Sequence, residues 1–259
     1  MKRLILLFFA ASLLAGCATT TSPTGRRQYV GGVSQAQLDQ MGAQAFAEAK
    51  AKARIDTDPA QNAYVRCVVD ALVARLPPQW RTVRWETALF VDPEPNAFAL
   101  PGGKVGVNTG IFTVARNQDE LAAVLGHEIG HVISRHHDER ITRQMGAQGV
   151  VGVLDLLLGG SFGQVNGQVA NVYLLRNTRQ QEAEADVVGQ RLMADAGFDP
   201  SRAVDLWQNM MAAGGGRAPQ WLSTHPNPEN RIRTLRSDAP ALMPVYAAAR
   251  QAGRVPRCR

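Results

Sequence analysis

The spacing of apolar positions divides the chain into helical and extended stretches. Ser34 opens a helix as N-cap, with Gln37 three residues on in the manner of a capping box, and an Ala-rich run carries it to about Arg54. Asp58 caps a second helix with Pro59 at its first position, and Val65, Val68, Val69, Leu72 and Val73 form its apolar stripe before Pro77-Pro78 stops it. The pattern then becomes extended. Val83 to Val91 alternates loosely, Asp92-Pro93-Glu94-Pro95 turns, and Asn96–Leu100 and Lys104–Asn108 flank Pro101-Gly102-Gly103 as a hairpin. From Asn117 the helical period returns, with Leu121, Val124, Leu125, Val132 and Ile133 on the buried face. A further helix runs from about Thr178 to Gly197, with Pro200 beyond it. Between these two helices, Gly149–Gly167 is apolar and Gly-rich and reads as a buried helix with flexible ends. Two helices, a small sheet and then mostly helices predict a single α+β domain that is mainly helical.

The N-terminus has a different character. Lys2 and Arg3 precede an apolar run from Leu4 to Leu14, too short to span a bilayer and typical of a signal peptide. It ends in Leu14-Ala15-Gly16-Cys17, which resembles the lipobox of bacterial lipoproteins, where the cysteine is acylated and the chain is cut before it. Ala18 stands where a retention Asp would sit, which favours the outer membrane and its periplasmic face. Ala18 to Gly25 is rich in Thr, Ser, Pro and Gly and reads as a flexible tether. Setting Cys17 aside leaves Cys67 and Cys258, which in an oxidising compartment predict one disulfide.

Composition narrows the function classes. The chain is 45% hydrophobic and 19% charged, which suits a globular core. Its net charge of +6 comes from scattered arginines without interleaved aromatics, so no nucleic-acid partner is expected.

The chemistry centres on His127-Glu128-Ile129-Gly130-His131. Residues four apart share a helix face, so both imidazoles can address one ion, and neutral imidazole suits zinc. Glu128 sits one position round the helix, where it can take a proton from a water activated by the metal. His136 and His137 fall at or past the helix end and read as solvated. The third ligand is expected from Glu182-Ala183-Glu184-Ala185-Asp186: Glu182 binds the metal and Asp186, four residues on, accepts a hydrogen bond from an imidazole N–H. By spacing alone this pair also reads as a solvated charged face; the upstream motif turns the reading toward a ligand.

Helix-borne HExxH followed by Glu-x-x-Ala-Asp resembles the HtpX and CAAX prenyl-protease family of gluzincins. Asn96-Ala97-Phe98-Ala99-Leu100-Pro101-Gly102-Gly103 and Asp119-Glu120-Leu121-Ala122-Ala123-Val124-Leu125-Gly126 precede the motif, and Thr224-His225-Pro226 with Asn230-Arg231-Ile232 comes after it. The resemblance spans roughly Pro59 to Arg236 and is greatest to the lipobox-bearing periplasmic LoiP-type and BepA-type branch, without the helical-repeat domain of the latter. It implies a gluzincin fold and a zinc endopeptidase with one Zn2+ per chain, held by His127, His131 and Glu182, with Glu128 as acid and base. It also implies unfolded or misfolded envelope proteins as substrates, membrane contact through the lipid, and an envelope assembly complex as a further partner. The expected domain division is 1–16 signal peptide, 17–33 lipidated cysteine and tether, 34–240 peptidase domain and 241–259 C-terminal tail.

The sequence leaves several roles open. His225 reads as a transition-state stabiliser, as a fourth zinc ligand that keeps the enzyme latent, or as a structural residue before a short helix capped by Asn227. Arg231 supports the oxyanion or pairs with Asp186. The hairpin edge, through Asn96 and Phe98, is the candidate surface for an extended peptide. The alternative function class is a chaperone-like factor that holds unfolded chains with little cutting.

Overall fold

The computed structural model describes residues 18–145, 177–213, 221, 224–225 and 228–259. The readings on Cys17, the leader, Gly149–Gly167 and Asn227 lie outside these residues.

In chain order the elements are β1 (Ala18–Thr21), β2 (Arg27–Val30), α1 (Gln35–Lys52), α2 (Pro59–Val73), α3 (Pro78–Arg81), β3 (Glu86–Phe90), β4 (Ala97–Leu100) and β5 (Lys104–Asn108). A 3-10 turn at Thr109–Thr113 leads to α4 (Gln118–Ile133), and α5 (Arg179–Ala196), α6 (Arg202–Ala213) and α7 (Pro228–Gln251) come after it. Residues 136–145 are also helical. The mainly helical α+β architecture is as expected. Among the described residues no helix is long and apolar enough to cross a membrane.

The caps form where local chemistry puts them. Ser34 and Gln37 make the reciprocal capping box of α1, and Asp58 accepts from the backbone N–H groups of Ala60 and Gln61 at the start of α2. Asn117 accepts from the N–H groups of Asp119 and Glu120 to start α4. Thr178 and Gln181 box the start of α5, and Gly197 ends it at φ 89°, a left-handed conformation that costs glycine little.

The sheet has order β3-β5-β4. β5 pairs parallel to β3 and antiparallel to β4, with Phe98 opposite Gly106. β4 is therefore an edge, and α4 packs against it. The main core gathers Val65, Val68, Val69 and Leu72 from α2, Val105 and Val107 from β5, Leu121, Val124 and Leu125 from α4, and Met193 and Leu206 from α5 and α6.

Two expectations are corrected. The expected tether within 17–33 contains an ordered hairpin, pairing Ala18 with Val30 through Thr21 with Arg27. Its turn is closed by Ser22 N–H to Arg26 C=O at 2.8 Å, and Arg26 is fixed by ion pairs to Glu139 and Glu184. Polar composition suggested flexibility, but these distant carboxylates supply the order. The C-terminal region is also more structured than a short helix and tail. α7 continues through Pro240 and Pro244, with Leu235, Ala239 and Ala249 buried. Docking on α5 and α6 outweighs the helix-breaking tendency of the prolines. Beyond it, Cys258 forms a disulfide with Cys67, and its backbone N–H donates to Gln118 Oε1 at 2.9 Å.

Candidate metal centre

The centre lies where α4 crosses α5. The two helices approach closely because glycines face each other: a Cβ on Gly189 would stand 2.7 Å from Gly126 C and His127 N, and one on Gly130 would stand 3.0 Å from Ala185 O. Close approach brings the side chains of His127 and His131 on α4 into range of Glu182 on α5.

Four donors converge there, from His127, His131, Glu182 and His225, all buried and with ligand atoms within 4.8 Å of one another. His127 Nε2 lies 3.0 Å from His131 Nε2, 3.2 Å from His225 Nδ1 and 3.5 Å from Glu182 Oε2. His131 Nε2 lies 3.3 Å from Glu182 Oε1, and His225 Nδ1 lies 3.1 Å from both Glu182 oxygens. A tetrahedral ion with bonds of about 2.0–2.1 Å sets its donors about 3.3 Å apart. The donor set fits such an ion.

The protonation states of His131 and Glu182 suit ligands as well. Burial pushes His131 well below the ordinary imidazole range, so it is neutral. Burial works against the Glu182 carboxylate, but the charges of His225 and Arg231 hold it well below the usual range. For His127, burial and Arg231 push downward while Asp186 and Glu182 push upward, and the balance lies at about 9. Its Nδ1 stands 3.0 Å from Asp186 Oδ1, so Nδ1–H donates to that carboxylate, and the other proton of the imidazolium, on Nε2, is the one a cation among the donors would displace.

Arg231 braces this side. It donates to Asp186 at 2.6 and 2.5 Å, and its Nη1 lies 2.7 Å from Glu182 Oε2. Its guanidinium sits 3.6 Å above the Trp207 ring, and Trp221 stacks on His225 with centroids 4.5 Å apart. Of the two roles left open for Arg231, the pairing with Asp186 is present.

Glu128 is buried beside the cluster and does not join it. Its Oε1 lies 3.5 Å from His225 Nε2 and accepts from Trp221 Nε1 at 3.4 Å. Glu128, His131 and His225 line a cleft of about 300 Å³ whose other wall includes Asn96, Ala97 and Phe98 of the β4 edge and Ala45 and Ala49 of α1. The structure thus brings Asn96 and Phe98 to the same cleft as the donors. Phe98 also packs on Phe46 and Phe90.

His136 and His137 are a correction. Both are buried rather than solvated. The chain turns at Ser134-Arg135, with Arg135 at φ 56°, and helix resumes at 136, which folds both rings inward. His136 Nδ1 lies 2.8 Å from His131 Nδ1. Sequence reasoning also passed over Trp207, Trp221, Glu184 and Arg26. For Glu184 a signal was present: it lies two residues from Glu182 and from Asp186, hence on another helix face.

A family model described as Peptidase family M48 matches residues 59–239. The chain belongs to peptidase family M48. This agrees with the resemblance carried by the motifs. Among M48 relatives, the mitochondrial metalloendopeptidase OMA1 of Schizosaccharomyces pombe is 42% identical over 165 residues, covering 61% of this chain and 48% of that protein. The beta-barrel assembly-enhancing protease of Escherichia coli K12 is 28% identical over 227 residues, covering 82% and 46%. Its Yersinia pestis counterpart is 30% identical over 217 residues, covering 78% and 44%. The chain spans about half the length of these M48 relatives.

Proposed function

We propose that this M48 chain is a zinc-dependent endopeptidase of the bacterial cell envelope, acting on misfolded or stalled envelope proteins. The carrying observation is the convergence of two imidazoles and a carboxylate, with Glu128 adjacent and outside the set. A site that only bound metal would have no need of a carboxylate at that position.

His127, His131 and Glu182 would hold the ion. Two imidazoles, one carboxylate and tetrahedral spacing favour zinc over oxygen-preferring cations. When bound, zinc would supply Lewis acidity there, acidifying water and polarising a peptide carbonyl. Glu128 takes the proton from the attacking water and returns it to the departing amine. The β4 edge, through Asn96 and Phe98, holds the peptide extended along the cleft. Asp186 and Arg231 keep His127 oriented.

His225 completes a four-donor set, and a hydrolytic site requires one open position. We read His225 as the residue that keeps the centre latent until it withdraws; the Nδ1 distances favour this over oxyanion support.

The envelope location rests on the Lys2–Cys17 leader and lipobox pattern, with a lipid on Cys17 fixing the chain to the periplasmic face of the outer membrane. The name of the Escherichia coli relative, a beta-barrel assembly-enhancing protease, supports a protease that serves protein assembly. The mitochondrial relatives, named as metalloendopeptidases, support the peptidase chemistry and leave the compartment to the leader.

The test uses protein beginning at Ala18, with and without Glu128→Gln, assayed for zinc content and casein cleavage. Zinc in both with cutting only by the unaltered protein supports the proposal. Zinc without cutting by either indicates the latent state held by His225, which His225→Ala should relieve; binding of unfolded casein with no cutting even by His225→Ala indicates the chaperone-like alternative. Absence of zinc from both overturns the reading.

A further inference from the structure

The two metal-facing histidines of α4 are oriented by different means. His127 is held directly by a carboxylate of α5, Asp186. Among the described residues, His131 has no carboxylate at its Nδ1. It has another imidazole, His136, at 2.8 Å.

The ligand role of His131 fixes the protons along this chain of bonds. His131 Nε2 faces the donor set and presents a lone pair, so its proton is on Nδ1. His131 Nδ1–H therefore donates to His136 Nδ1. The proton of His136 is then on Nε2, which lies 3.1 Å from Glu184 Oε2 and donates to it.

Glu184 is in turn held by the turn between β1 and β2. Thr24 Oγ1–H donates to its Oε1 at 2.7 Å, and Arg26 Nε donates to its Oε2 at 2.8 Å. The other end of the Arg26 guanidinium donates twice to Glu139, at 2.9 and 2.8 Å, and Gln181 Nε2 on α5 donates to the same carboxylate at 2.9 Å. His136, Glu139 and Glu184 are all buried, so these bonds are shielded from competition by water.

We propose that His136 and Glu184 are positioning residues for the metal ligand His131, and that Thr24 and Arg26 make the N-terminal hairpin a working part of the metal centre. A carboxylate acting through an intervening imidazole fixes the tautomer and ring angle of His131 and raises its basicity as a ligand. Release of the hairpin turn frees Glu184 and with it the orientation of His131. This rests on the reading of His127, His131 and Glu182 as a metal site.

The experiment uses the full chain and four variants: His136→Phe, His136→Asn, Glu184→Gln and Thr24→Val. Zinc affinity is measured by competition with a chromophoric chelator, and ligand geometry by the visible absorption of the cobalt-substituted protein. Far-UV circular dichroism confirms the fold of each. His136→Phe and Glu184→Gln are expected to weaken zinc about 10–100-fold and to change the cobalt spectrum. His136→Asn places an amide oxygen near the Nδ1 position and is expected to recover part of the affinity. Thr24→Val alters only an exposed turn residue, so it remains informative if the buried variants fail to fold. It is expected to weaken zinc a few-fold. Unchanged affinity and an unchanged cobalt spectrum in Thr24→Val and in whichever buried variants fold overturn this proposal alone. No zinc binding by the unaltered chain overturns the metal-site reading and this proposal together.

Discussion

Gly126 on α4 and Gly189 on α5 face each other across the helix crossing, so close that a methyl group on Gly189 would meet the backbone of Gly126 and His127 at 2.7 to 2.8 Å. Backbone cannot swing aside as a long side chain can. Gly189→Ala is therefore expected to push α5 away from α4, at about 1–3 kcal/mol of stability by overpacking. The distance between Glu182 and the two histidines would grow with it. Chemical denaturation and zinc competition on one preparation check this. Unchanged values in both would show that the crossing has slack.

Glu128→Gln keeps the shape of the side chain and removes its basicity. Activity is expected to fall by about 10²–10⁴-fold with zinc content unchanged. Initial rates on casein beside metal analysis separate this outcome from loss of the ion.

His225→Ala is expected to raise peptidase activity, because its Nδ1 sits 3.1 Å from both oxygens of Glu182 within the donor set. A fall in activity at constant zinc content would instead assign His225 to support of the oxyanion.

The Cys67–Cys258 disulfide closes a separation of 191 residues and ties the C-terminal segment to α2. Replacing both cysteines by serine is expected to cost about 2–5 kcal/mol, the chain-entropy figure for so long a loop being near the upper end. Denaturant titration of the oxidised protein against the double variant provides the measurement.

Acid stability should depend on Glu139. Burial alone would raise its pKa, but hydrogen bonds from Arg26 and Gln181 and the charge of Arg143 outweigh burial and hold it below the ordinary 4.5. A carboxylate depressed in the folded state contributes stability above that range, and the contribution is lost as pH falls through the folded value. The thermal midpoint is expected to decline as pH drops below about 4.5, and Glu139→Gln should flatten part of that decline. An identical pH profile for the two proteins would remove Glu139 from the account.

The sequence by itself determined what depends on near neighbours along the chain. Asn117 and Thr178 start α4 and α5 because a cap needs only residues two or three positions on. His127 and His131 share a face because four residues make about one turn. For the same reason Glu182 and Asp186 point together, and the glycines after Pro101 mark the hairpin. The family was legible because its motif is built from such short spacings. What only the tertiary structure decided depends on groups distant in sequence. His136 looked solvated because it comes after the end of a helix, and the turn at Arg135 that buries it against Glu184 is not a local propensity of its neighbours. Arg26 looked like part of a polar tether, and it is ordered by carboxylates 113 and 158 positions away. Gly189 is the place where α5 comes close enough to α4 for one ion to reach both. Local periodicity sets which side chains share a face; packing sets how far apart two faces stand, and the metal centre depends on that distance.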